Sequence, residues 1–155
     1  MATTIVKAPA TITVKEELVL DGVSYSYEDV LTIEDIASVF RQIIPVPNTE
    51  AIILAFGTAV AAGQFVESKV VYIRFTNKDD TSYIILVFRE EGAAEFAVKL
   101  DYGQSFIFPG DRVGGVVDTM DASASALTVS LGDLVDVTAV SETGTVDLEV
   151  VVLGI

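Results

Sequence analysis

Residues 68–108 read SKVVYIRFTNKDDTSYIILVFREEGAAEFAVKLDYGQSFIF, and the alternation inside this stretch decides the fold class. In residues 70–76, Val71, Ile73 and Phe75 fall on one side and Arg74 and Thr76 on the other, the period-2 signature of a strand with one buried face. Asn77, Lys78, Asp79 and Asp80 follow as a polar turn, built from residues that bond their own main chain or tolerate left-handed backbone. Residues 82–88 carry Ile84, Ile85, Leu86, Val87 and Phe88 without a break, so both faces should be covered, as in the middle of a sheet. After Glu90, Glu91 and Gly92, residues 95–100 alternate again, with Phe96, Val98 and Leu100 inward and Glu95, Ala97 and Lys99 outward. Asp101, Tyr102 and Gly103 read as a tight turn into residues 104–108, which makes a hairpin whose Phe96, Val98, Phe106 and Phe108 share one core layer.

Working outward, residues 1–10 are a Thr, Ala and Pro segment with little to bury, expected as an extended arm ahead of a single domain over residues 11–155. Ile12 and Val14 alternate, and Asp21-Gly22 between apolar residues is a strong hairpin signal because both central turn positions need positive φ. Val23, Tyr25 and Tyr27 then share a face. Residues 32–47 admit two readings. Ile33, Ile36, Ala37, Phe40 and Ile44 fit a helical face behind a Thr32/Asp35 capping-box imitation, whereas Phe40, Ile44 and Val46 fit a strand. The reading favoured is a short helical turn over residues 33–37, then a strand over 39–46 that turns at Pro47-Asn48-Thr49 into the apolar strand 51–56. Residues 57–63 should be a loop or a tightly packed crossover, 109–115 and 119–126 should be loops, and residues 134–141 and 146–153 a closing hairpin with Val146, Leu148, Val150 and Val152 inward. Roughly ten short strands at close spacing predict an all-β chain, an antiparallel β-sandwich of jelly-roll-like type with at most one short helix.

Composition narrows the chemistry. At 155 residues the chain can bury a core without staples, and its zero cysteines and zero histidines remove thiolate sites, most zinc sites and the Ser-His-Asp and Cys-His routes. A net charge of −14 argues against nucleic acid as a partner. Hydrophobic residues make up 51%, yet the longest large-apolar run, residues 51–56, is too short to span a bilayer, so no membrane is expected and the surplus apolar surface points to subunit contacts. Residues 1–14 lack the pattern of a secretory signal.

Each tempting constellation has a plainer reading. Asp79, Asp80, Asp118, Asp121, Asp133 and Asp136 could offer oxygens to calcium, but none has EF-hand spacing and Asp fills turns for conformational reasons. Lys99 with Ser105 and Asp101 lacks the Ser-x-x-Lys motif, and Glu90 and Glu91 are adjacent, which is poor geometry for a glycosidase pair. Tyr25, Tyr27, Tyr72, Tyr83 and Tyr102 could line a sugar site, but strand tyrosines are commonly packing residues and there is no tryptophan. Residues 110–115 lack the lysine and context of a phosphate loop. The expectation is therefore no catalytic residue, no metal ligand and no cofactor.

The phrase formed by Tyr72, Arg74, Thr76, Asn77 and Asp79, then Phe96, Lys99, Leu100, Gly103, Ser105 and Phe106, resembles a pattern in small β-sandwich structural proteins of tailed bacteriophages, across about a quarter of the chain. That resemblance implies a non-enzymatic virion protein, foremost a capsid decoration or cement protein that reinforces the shell. Its partners would be the major capsid protein or other virion proteins, and it would be a homo-oligomer, with a trimer among the options. The alternatives are a head-to-tail or tail-associated component on the same scaffold, and a carbohydrate- or surface-binding β-sandwich module.

Overall fold

The computed structural model describes residues 4–92, 94–109, 118–120 and 131–155. The strands in chain order begin with β1 (Ala8–Glu16), β2 (Val19–Leu20), β3 (Val23–Ser24), β4 (Tyr27–Ile36), β5 (Ser38–Val46), β6 (Ala51–Gly57) and β7 (Phe65–Val66). A 3-10 turn, Glu67–Lys69, leads into β8 (Val70–Asn77), β9 (Ile84–Glu90), β10 (Glu95–Leu100) and β11 (Ser105–Pro109). The chain closes with β12 (Asp118–Met120), β13 (Leu131–Ser141) and β14 (Val146–Gly154). One sheet has the order β11-β8-β14-β5, and the facing sheet runs β10-β9-β13-β6-β7 with β12 on β13. Apart from the two-residue parallel contact of β7 with β6, all described pairings are antiparallel. The fold is an all-β sandwich.

The core lies between the two sheets. Phe75 of β8 meets Phe88 of β9 edge-on at 5.8 Å, and Phe88 also touches Phe96, Phe106 and Phe108. Of the four residues expected in one core layer, Val98, Phe106 and Phe108 pack against the core, whereas Phe96 stacks on Phe88 at its margin and stays 37% exposed. Phe106 and Phe108 reach Phe88 from across the sandwich. β10 pairs with β9 and β11 with β8, so the 95–108 segment is an arch between sheets and not a hairpin. The same correction applies to the end of the chain, where β13 pairs with β9 and β6 while β14 pairs with β8 and β5. The second arch buries the apolar face that alternation assigns, Val146, Leu148, Val150 and Val152, and the first buries Leu100 and half-buries Val98, Phe106 and Phe108. Alternation reports which side of a strand is apolar; it does not report which strand lies beside it.

Asn77 explains why the chain arches at residues 77–84 and 100–105. Its fully buried side chain donates to the carbonyl oxygens of Ser82 (2.8 Å) and Leu100 (3.1 Å), one in each crossover. Its backbone N–H donates to the Gln104 carbonyl at 3.0 Å, and its carbonyl accepts from the Gly103 N–H at 3.1 Å. Asp79 completes the first turn by accepting from the Thr81 and Ser82 N–H groups.

Two local expectations change for one reason, an inserted residue. The helical turn expected over 33–37 is strand, because β4 runs to Ile36. Between Ala8↔Ile36 and Ala10↔Ile33, β4 uses one residue more than β1, and Asp35 adopts a left-handed φ of 62°. This bulge turns Ile33 and Ile36 to the same side at a spacing of three, which imitates a helix. In β8, the Leu153↔Tyr72 and Gly154↔Val70 partners leave Val71 as the extra residue. Val71 therefore packs with Tyr72 in a second cluster, while Val70 joins Ile73 and Phe75 in the main core.

Residues 8–36 form a separate ribbon. β1 pairs with β4, β2 with β3 at its tip, and neither pair joins a sandwich sheet. Ala8 and Ala10, counted with the arm in the sequence reading, already belong to β1. Asp21 (φ 50°) and Gly22 (φ 78°) make the expected hairpin turn. The ribbon base packs Ile33, Ile36, Ile12 and Leu31 against Val71, Tyr72, Leu153 and Ile155, on the outer side of the four-stranded sheet. Of the expected loops, 58–63 is loop, Gly57 and Pro109 are the last residues of β6 and β11, and Thr119 and Met120 are strand in β12, whereas 110–117 and 121–126 lie outside the described residues.

Candidate functional site

One connected charged group stands on the outer face of the four-stranded sheet. Register places Ile107, Arg74, Val151 and Arg41 in one row across it, with Glu149 in the next row between Thr76 and Ile43. The Glu149 carboxylate accepts from Arg41 at 2.6–2.7 Å and from Arg74 at 3.1 Å. Arg74 also donates to the Thr76 hydroxyl at 2.6 Å, which shares a hydrogen bond with Ser105. The Arg41 bond is the main cause that holds the Glu149 carboxyl below its usual range, against a smaller opposing effect of burial. Two guanidinium groups on one carboxylate leave this patch cationic in a strongly acidic chain.

A second cluster lies on the outer face of the other sheet, where Arg89 faces Glu50, Glu95 at 3.5 Å and Asp136 at 3.7 Å. Thr138 donates to Glu50 at 2.6 Å. Near the sheet's end, burial and then the charges of Asp133 and Glu91 push the Glu67 carboxyl above its usual range. No group of three or more Asp or Glu side chains close enough to share a metal ion occurs among the described residues. At one end of the sandwich a cleft of about 340 Å³ opens between Phe40, Phe65, Val152 and Ile155, with Ile5 and Lys69 at its lining.

The residues weighed from sequence are scattered. Asp79 is engaged by its own turn, whose Ser82 and Thr81 N–H groups hold its carboxyl below the usual range. Asp133 and Asp136 lie in β13 and not in turns, and Asp121 is outside the described residues, as is the side chain of Asp118. Lys99 pairs with Asp101 at 2.8 Å and lies over the Tyr83 ring, while Ser105 belongs to the other sheet beside Thr76. Glu90 is buried, accepting from the Ala94 N–H, and Glu91 is exposed, so the two do not face a common substrate. Tyr72 is buried, Tyr83 packs under Lys99, Tyr102 is in a distant turn, and Tyr25 and Tyr27 are on the ribbon; they line no common face.

What sequence reasoning did not single out is the exposed ribbon. The face that carries Ile12 and Leu31 onto the sandwich continues as Val14 and Tyr27, which are 46% and 58% exposed, and the tip adds Leu18, Val19, Leu20 and Val23. The signal was available in the apolar residues flanking Asp21-Gly22, which a hairpin of two-residue strands is too short to bury. Comparison with protein-family models, with curated proteins and with solved structures found no match to this chain.

Proposed function

We propose that this chain is a non-enzymatic structural protein of a bacteriophage particle, foremost a decoration or cement protein that works as a homo-oligomer on the shell. The observation that carries the binding half of this reading is the uncovered apolar ribbon of residues 8–36, anchored at its base and exposed from Val14 to Tyr27. Contiguous apolar surface of this kind marks a protein–protein contact. The charged groups on the two outer faces are smaller and partly self-paired, Glu149 with two arginines and Arg89 with three carboxylates. The phage assignment itself rests on the resemblance of the Tyr72 to Phe106 phrase, and its partners are then the major capsid protein or neighbouring virion proteins. Quantitative mass spectrometry of particles purified from the source culture tests it. Hundreds of copies per particle fit a decoration protein and a few copies fit a tail component, while absence from every particle fraction overturns the proposal.

A further inference from the structure

We propose that the tip of the ribbon docks on the outer face of the four-stranded sheet of a second copy of this chain, beside that copy's own ribbon base. This rests only on the homo-oligomer part of the function proposed above, not on the virion part.

The two surfaces complement each other in charge and in polarity. Over residues 14–30 the ribbon carries one lysine against five carboxylates, Glu16, Glu17, Asp21, Glu28 and Asp29, with Lys15 already paired to Glu17 at 2.6 Å. Between those charges stand Leu18, Val19, Leu20 and Val23, each more than half exposed. The receiving face carries Arg41 and Arg74 on the single carboxylate of Glu149, and Arg41 keeps 69% of its side chain exposed. Beyond Glu149, the Lys78 backbone N–H donates to the Asp147 carbonyl at 2.9 Å, so this neighbouring pair adds no net formal charge. Around the arginines, Val39 (67% exposed) and Ile43 (54%) stand uncovered on β5. An anionic apolar tip thus has a cationic apolar counterpart on the same chain.

The chain's own ribbon does not fill that counterpart. Its base ends on the Tyr72–Leu153 row, and the rows of Val151 and Ile43 beyond it stay open. A two-stranded ribbon is marginal by itself in water, so a contact along its far half adds to what the base contact supplies. Tip and face are different patches, so the contact is heterologous and repeats around a closed ring when the rotation closes.

Sedimentation velocity over a wide concentration range tests this with two variants, Leu20→Asp with Val23→Asp in the tip, and Val39→Asp with Ile43→Asp in the face. All four side chains are more than half exposed, so both variants should melt within a few degrees of the parent. The expected result is that the parent assembles and each variant alone associates at least about ten-fold more weakly. Mixing the two variants should then restore a one-to-one complex, because one retains an intact face and the other an intact tip. A parent that stays monomeric overturns the proposal. So does a face variant that assembles as well as the parent, or a mixture that stays monomeric while both variants fold.

Discussion

Asn77 is the residue on which the arrangement of sheets most directly depends. It lies between the two crossovers and is fully buried, so a leucine of similar size would keep the packing but leave the Ser82 and Leu100 carbonyls without their donor. Asn77→Leu should cost about 1–3 kcal/mol for each acceptor left dry, read as a lower urea midpoint; a change under about 0.5 kcal/mol would show that water takes over the role. Glu149 gives a pH-dependent prediction. Its folded-state carboxyl is held below the unfolded value, so the stabilisation is fully present above the ordinary glutamate range near ~4.3 and is lost as pH falls through the folded value. Glu149→Gln should therefore melt lower than the parent at neutral pH, with the gap closing in acid. A gap independent of pH would mean that the ion pair contributes nothing beyond packing.

Elements show most clearly where the sequence can be read and where it cannot. The strand β9 was legible as central, because a run from Ile84 to Phe88 has no solvent-facing side, and it does lie between β10 and β13. The Asp21-Gly22 turn was legible because its chemistry is local. The pairing of consecutive strands was not. Asp101-Tyr102-Gly103 looks the same whether the chain folds back in one sheet or arches to the other, and the arbiter is Asn77, far away in sequence. Bulges defeat pattern reading differently: Asp35 and Val71 each shift the phase by one residue, which makes Ile33 and Ile36 look helical and puts Val71 on the wrong face. The candidate surface escaped for a related reason. Arg41, Arg74 and Glu149 meet only once β5, β8 and β14 are laid side by side. At this scale Gly22→Ala should raise amide exchange across Val19–Ser24, since a left-handed residue with a Cβ costs about 1–2 kcal/mol, and leave the core strands protected. Loss of protection in β8 or β14 would mean that the tip is coupled to the sandwich.

For the whole molecule, the two hydrophobic clusters divide the work between cohesion and attachment. The main core takes its buried members from strands β5 to β14 and none from the ribbon, with Phe88 at the centre of its aromatic contacts. Phe88→Ala should cost about 3–5 kcal/mol and shift every probe of unfolding together, because the cavity opens between both sheets. The second cluster joins the ribbon base to Val71, Tyr72 and Leu153, so removing the whole ribbon would bare that apolar surface. A truncation that respects this division replaces residues 14–30 with a short turn joining Thr13 directly to Leu31, keeping Ile12 and Leu31 as the last pair of the ribbon. Nothing in the main core or in the base cluster is removed by it. The shortened chain should therefore keep a cooperative melt within a few degrees of the parent, while becoming more soluble as the exposed tip disappears. Thermal unfolding followed by circular dichroism decides the matter: a shortened chain that loses cooperativity would show that the ribbon tip stabilises the sandwich instead of reaching out to a partner.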